Sequence, residues 1–243
     1  MRRWASPKGR PGRLVAIGGA GLAVLVMAAW LAWPGGNKEA ALDAPRLAHE
    51  QARAQAGDAI AQVALGRRYE QGRGVAREAA RAAQWYLRAA GQGDNDARYA
   101  LGRLFEAGDG VKRDYYKAAE WYRLAAGVGG HREAGFALGN LYFHGRGVAP
   151  DFAEALGWFR RAAEQGHAAA RYMMGAMYEK GWGVEPDPVE AYVWYSLAMF
   201  RADEAIAVDP AYDPRAARAH LAATMTRARI AEAEKRLKQR VPQ

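Results

Sequence analysis

A chain of 243 residues, 51% apolar and 25% charged, is long enough for one large folded domain or two small ones, and its complete lack of cysteine excludes disulfide staples and thiolate chemistry. The net charge of +9 resides at the ends: residues 1–13 carry five bases and no acid, residues 214–243 carry eight bases against Glu232 and Glu234, and the stretch 14–213 sums to −2. A nucleic-acid footprint needs a basic stripe on the folded body, and the near-neutral middle of the chain offers none, so no nucleic-acid partner is expected.

Leu14–Trp33 runs for 20 residues without a charge. At about 1.5 Å rise per residue it can cross a hydrocarbon core of about 30 Å, with Trp30 and Trp33 at the level of an interfacial aromatic belt. The bases of 1–13 stay cytoplasmic by the positive-inside rule, which sends the rest of the chain into the periplasm. The run ends in Trp-Leu-Ala-Trp-Pro, without the small residues of a cleavage site, so we read one transmembrane signal anchor in the inner membrane rather than a cleaved leader. Residues 34–44 read as a linker opening with Pro34-Gly35-Gly36, and 45–56 as a weakly apolar N-terminal cap helix.

From 57 to 200 the chain writes one unit four times. Leu65-Gly66 recurs as Leu101-Gly102, Leu138-Gly139 and Met174-Gly175, at steps of 36, 37 and 36 residues. Gly72–Val75 and Trp85-Tyr86 recur with the same steps. A fixed period between about 20 and 50 residues marks a stacked array of supersecondary units. Each unit resolves into two helices. In the second unit Asp94 caps the first, whose Ala97, Leu101 and Phe105 share a face, and Gly102 permits a close helix–helix approach. Gly108-Asp109-Gly110 makes a tight turn and Val111 folds back as an apolar plug. Asp114 caps the second helix, as do Asp151 and Asp187 later, with Glu78 in that place in the first unit. Ala118, Trp121, Tyr122, Ala125 and Ala126 form its apolar stripe; four of the eight tryptophans hold this one position, which marks it as core. Arg201–Pro214 reads as a turn-rich connection, followed by two closing helices at Arg215–Ala223 and Thr226–Gln239. Together 201–243 form a C-terminal helical cap with a basic exterior.

The order A-x-(Y/F)-x-L-G-x-x-(Y/F)-x-x-G-x-G-V-x-x-D-x-x-x-A-x-x-W-(Y/F)-x-x-A-A, carried most fully by Tyr99 through Ala126, resembles the Sel1-like repeat family, relatives of the tetratricopeptide repeats. The resemblance implies an all-α, right-handed solenoid of about four helix pairs with helical caps, acting as a scaffold or adaptor that binds a partner protein or peptide. Departures are mild: Val63 at the aromatic position of the first unit, Met174 for Leu, Met199 for the last Ala, and one extra residue within Gly127–Gly130, which predicts a small kink. Some cysteine-rich members are linked to β-lactam binding and hydrolysis, which makes a secreted enzyme the alternative. This chain has no cysteine, and neither Ser6 nor Ser196 begins an S-x-x-K.

Raw material for catalysis is scarce. Ser6 precedes the anchor and Ser196 falls in a packed helix, so no Ser–His–acid site is expected. The five histidines form no close-spaced ligand motif; His131 and His167, equivalent across units, read as solvated cap residues rather than a metal pair. Asp94-Asn95-Asp96 lacks the glycine and glutamate of a calcium loop. No cofactor or metal is expected, and no enzyme activity.

Partner-binding residues follow from the helical period. With Leu101 inward, about 100° per residue puts Tyr99, Arg103 and Glu106 on the opposite, concave face, with Phe136, Asn140 and Phe143, then Tyr172 and Glu179, as their later counterparts. Tyr99, Phe136 and Tyr172 also suit packing between units. Phe143 replaces a glutamate present in the other three units and is the candidate hot spot. The basic C-terminal helix is either a solvated cap or a contact for an anionic surface.

Overall fold

The computed structural model describes residues 38–127 and 130–241. The expected anchor at 14–33, the basic stretch before it and residues 128–129 of the extra-residue site at 127–130 lie outside the described residues. No described helix is long and apolar enough to cross a membrane. Contacts divide the chain into a unit ending at His49 and a larger one from Glu50 onward.

The described residues form twelve helices and no strand. The first, α1 (Lys38–Gln55), starts seven residues before the expected Pro45, so 38–44 is helix and not linker. Glu-Ala-Ala-Leu at 39–42 is strongly helix-forming. Pro45 sits inside, where its missing N–H leaves the Ala41 carbonyl without its helical partner.

Four antiparallel pairs follow: α2 (Ala59–Gln71) with α3 (Ala79–Gly91), α4 (Asn95–Ala107) with α5 (Tyr115–Gly127), α6 (Arg132–His144) with α7 (Phe152–Glu164), and α8 (Ala168–Lys180) with α9 (Pro188–Met199). Each helix packs mainly on its neighbours in sequence, so pair stacks on pair. The starts are well capped. Asp94 Oδ1 accepts the Ala97 N–H at 2.8 Å, and Asp151 and Asp187 each accept two N–H groups. Asp114 accepts the Lys117 N–H at 3.0 Å. Glu78 makes no cap bond; its longer side chain pairs with Arg81 instead.

The core of each pair is an aromatic ring laid on a glycine. Tyr86, Tyr122, Phe159 and Tyr195, each the residue after the tryptophan, are 0–2% exposed. A Cβ on Gly102 would stand 2.4 Å from the Tyr122 ring, so only glycine lets the ring lie flat between the helices. Burying such a ring contributes about 1.5–3 kcal/mol. The tryptophan itself is less central than expected. Trp158 and Trp194 are buried, but Trp85 and Trp121 are half-buried, and Trp85 lies 4.4 Å under the Arg88 guanidinium. The ring one residue later points straight at the partner helix, which leaves Trp about 100° round toward the margin.

Besides helix packing, the second glycine of each later turn, Gly110, Gly147 and Gly183, docks one pair on the pair before it. A Cβ on Gly110 (φ +70°) would fall 2.3 Å from the Ala79 backbone of the preceding pair, so the turn docks on the start of α3. Beyond α9 the expected turn-rich connection contains a short helix, α10 (Ala202–Val208), with Ala202 and Ala205 buried. The closing helices α11 (Pro214–Thr224) and α12 (Arg227–Arg240) both pack on α9.

Candidate functional site

Tyr86, Tyr122 and Tyr195 share one polar tie. Their hydroxyls donate to Glu70, Glu106 and Glu179 at 2.7, 2.6 and 2.8 Å, each glutamate lying on the first helix of the same pair. Burial, reinforced by the carboxylate, pushes these phenols far above their ordinary range, so they stay donors at any working pH. For Glu179, burial alone would raise the carboxyl; the bonds from Lys180 and Tyr195 hold it below its usual value.

The third pair changes both partners. Phe159 has no hydroxyl to donate, and Phe143 stands where the accepting glutamate would be, their ring centroids 6.4 Å apart. Phe143 also meets Phe152 and Trp182 edge-on, each at 5.1 Å. Trp182 comes from the middle of the turn after α8, where the other units carry Arg73, Asp109 and Arg146. Three aromatic rings therefore gather where the third and fourth pairs meet. Two of them, Phe143 and Trp182, line a groove of about 520 Å³ together with Tyr172, Met173, Tyr195 and Tyr212. The far wall is the loop before α11 and α11 itself, so the terminal cap closes one end.

Of the residues assigned to the concave face, Phe143, Tyr172 and Glu179 come together in this groove. Of the others, Tyr99, Phe136 and Arg103 make contacts between pairs and Glu106 a tie within its own. Tyr99 stacks on His131 at 4.5 Å and Phe136, 7% exposed, stacks on His167 at 4.4 Å. Tyr172 likewise stacks on Tyr212 at 4.9 Å, on the groove wall. Arg103 donates to Glu70 of the preceding pair at 3.1 Å, and Glu106 takes the Tyr122 hydroxyl. Asn140 is half-buried, with its Oδ1 unpartnered. Trp182 and Tyr212 were not legible as site residues: one is the variable middle of a turn, the other lies outside the repeat.

His131 and His167 are helix caps, but shielded ones. Each Nδ1 accepts a backbone N–H, from Ala134 at 3.3 Å and Ala170 at 3.1 Å, the role Asp58 and Asp94 fill in the earlier pairs. Stacking on the preceding pair's aromatic ring takes them out of solvent; the His131 side chain is 14% exposed. Burial lowers His167 to about 4, keeping it neutral and able to accept. Ser196 donates within its helix to the Tyr192 carbonyl at 2.7 Å and is buried. Among the described residues no group of three or more His, Asp or Glu side chains is placed to hold a metal ion.

Two bases of the terminal helix, themselves partly exposed, pair with a buried acid. Glu190, with a side chain 10% exposed, receives Arg240 at 2.7 Å and Arg236 at 3.8 Å. Arg227, Arg229, Lys235 and Lys238 remain exposed.

Comparison with known proteins gives matches of two kinds. The family model for the Sel1 repeat matches residues 59–94, 95–128, 133–167 and 168–198. The chain is similar to c5321, a protective antigen of uropathogenic Escherichia coli displaying an SLR fold, at 32% identity and a TM-score of 0.71, over 89% of this chain and 44% of that one. It is also similar to a Sel1 repeat protein from Oxalobacter formigenes, at 35% identity and a TM-score of 0.60, over 69% and 71%. The chain thus spans less than half the length of the Escherichia coli antigen. A search of curated proteins gave no match.

Proposed function

The chain belongs to the Sel1 repeat family, whose repeats generally mediate protein–protein contact, and from that premise we propose that it is a non-catalytic, membrane-anchored scaffold holding a segment of a partner protein in the aromatic groove. The observation that carries this reading is the double departure of the third and fourth units, Phe143 for glutamate and Trp182 for a charged residue, both opening onto one groove. A repeat that only needs to stack has no use for Phe143 and Trp182 at its margin, whereas aromatic anchors in a pocket dominate binding energy. The helix pairs then form a right-handed superhelix with α2, α4, α6 and α8 on the inner side. Residues 14–33 anchor it in the inner membrane, with the repeats in the periplasm. Arg227, Arg229, Lys235 and Lys238 of α12 are the surface left for an anionic contact, which weakens with salt.

The test is photocrosslinking in the native cell, with a benzophenone amino acid at position 143 and, as control, at Ile60, an exposed apolar residue of the first pair that does not line the groove. A discrete adduct from position 143 and none from position 60 is the expected outcome. Equal labelling from both positions, or no adduct at 143, overturns the groove assignment. Membrane fractionation of the full chain against a chain lacking 1–33 tests the anchor; a full chain found in the soluble fraction removes it.

A further inference from the structure

The second pair departs from the repeat on another surface. In the other three units the repeat tryptophan has a guanidinium over its ring. Arg88 stands 4.4 Å from the Trp85 centroid and Arg161 4.7 Å from that of Trp158, each three residues on in the same helix. The fourth unit has Leu197 in that place, and its Trp194 is covered instead by Arg240 of α12, 5.2 Å from the ring and 2.7 Å from Glu190. The second unit has Leu124 there, and among the described residues no cation lies over Trp121.

The two leucines differ in cover. Leu197, in the capped fourth pair, is 8% exposed, whereas Leu124 is 49% exposed and Leu87 of the first pair 47%. Leu87 and Leu124 line a hollow of about 520 Å³ with Trp121 and Phe105. Three charged side chains share that lining. Lys117 pairs with Asp114 at 3.8 Å and stands 5.5 Å from the Phe105 ring; Arg123 donates to the Tyr142 hydroxyl at 2.7 Å. The Glu120 side chain makes no ion pair or hydrogen bond among the described residues. The residue before the tryptophan is uncharged in the other units, being Gln84, Gly157 and Val193.

What completes a leucine-type pair is visible at the fourth. There a separate helix packs Ile230 and Leu237 on the apolar cluster and brings a guanidinium over the indole and onto a carboxylate. The negative face of the ring attracts the cation, more strongly as water is excluded. We propose that the hollow between the first two pairs receives a helix of a partner protein that carries an arginine. The guanidinium lies over Trp121 and pairs with Glu120, and apolar residues one turn away cover Leu87 and Leu124. This surface is separate from the aromatic groove and does not depend on it.

The experiment is selection of phage-displayed helical peptides on the full-length chain in detergent, after depletion on the Leu124→Arg variant. That variant supplies the guanidinium from its own helix, as the first and third pairs do, and the exposed position tolerates it. The enriched peptide is then labelled and titrated by fluorescence anisotropy. The expected result is an arginine with Leu, Ile or Met three or four positions away, and binding at least about tenfold weaker to Leu124→Arg. Glu120→Gln in the chain, or Arg→Gln in the peptide, should each weaken it by at least about fivefold. No peptide surviving the depletion overturns the hollow as a docking site. Survivors without arginine, or indifferent to both glutamine exchanges, overturn the arginine. A wild type that sediments as a dimer while Leu124→Arg stays monomeric assigns the hollow to a second copy and overturns the partner helix.

Discussion

Gly102 and Gly157 are both helical glycines, and a methyl group has opposite consequences at the two. At Gly102 it would meet the Tyr122 ring at 2.4 Å, while at Gly157 nothing lies within 4 Å and the position is exposed. Gly102→Ala is expected to destabilise by about 1–3 kcal/mol through overpacking, and Gly157→Ala to stabilise by up to about 1 kcal/mol through helix propensity. Urea unfolding of both variants checks the signs. His167 makes a prediction in pH. Its folded value of about 4 lies below the ordinary 6.5, because burial outweighs the attraction of Glu133 while Arg132 and Arg201 add repulsion. The unfolded chain therefore takes the proton first. The stability held by neutral His167 is intact above pH 6.5 and is lost as pH falls toward 4, by on the order of 2 kcal/mol. Asn caps a helix without titrating. The stability difference between the wild type and His167→Asn should move against the wild type by that amount between pH 7 and 4, in denaturant melts at each pH. A flat difference would show that the imidazole is not the buried acceptor the geometry describes.

At the scale of one helix pair, the unit of design is the second-helix ring with the first-helix residue opposite it. Tyr with Glu is one solution and Phe with Phe the other, and mixing them should fail. Phe159→Tyr alone buries a hydroxyl beside Phe143, and Phe143→Glu alone places a carboxylate without its donor, each costing about 1–3 kcal/mol. The double variant should recover a coupling of about 1–2 kcal/mol in a double-mutant cycle, measured by thermal or urea unfolding. Additive losses would mean that the two rings are independent. This pairing also marks how far the sequence was legible. Helix boundaries within the repeats, the Asp caps and the glycine turns were readable because each depends on neighbours within a few residues. Phe143 was conspicuous as a departure from glutamate, yet its reason lay 16 residues on, in a Phe for Tyr exchange that looked like free variation. Tyr99 and Phe136 were expected on the concave face, but what covers them is the histidine cap of the next unit, a contact that period alone does not supply. Tyr212 was hidden because nothing outside the repeat announces where a closing loop will fold back.

Taken as a whole, a stack of pairs that touch mainly their neighbours has stability that is local along the chain. The last pair then depends on its cap in a way the first does not. Ile230, Ala233 and Leu237 of α12 cover the cluster around Val193 and Trp194, and Arg236 and Arg240 compensate the buried Glu190. Removing 226–243 uncovers that apolar face and strips Glu190 of both cations. The truncated chain should show hydrogen-exchange protection that collapses in α8 and α9 and is unchanged in α2 and α3. The groove lies on the affected side, so the truncation should also weaken any peptide held by Phe143, whereas Glu190→Gln should relieve the uncompensated charge and restore part of the protection in α9. Equal loss of protection from α2 to α9 would mean that the pairs fold as a single cooperative block. In that case the specialisation of the third and fourth units could not be tuned without cost to the first two, and the aromatic margin would have to be understood as part of the core of the entire stack.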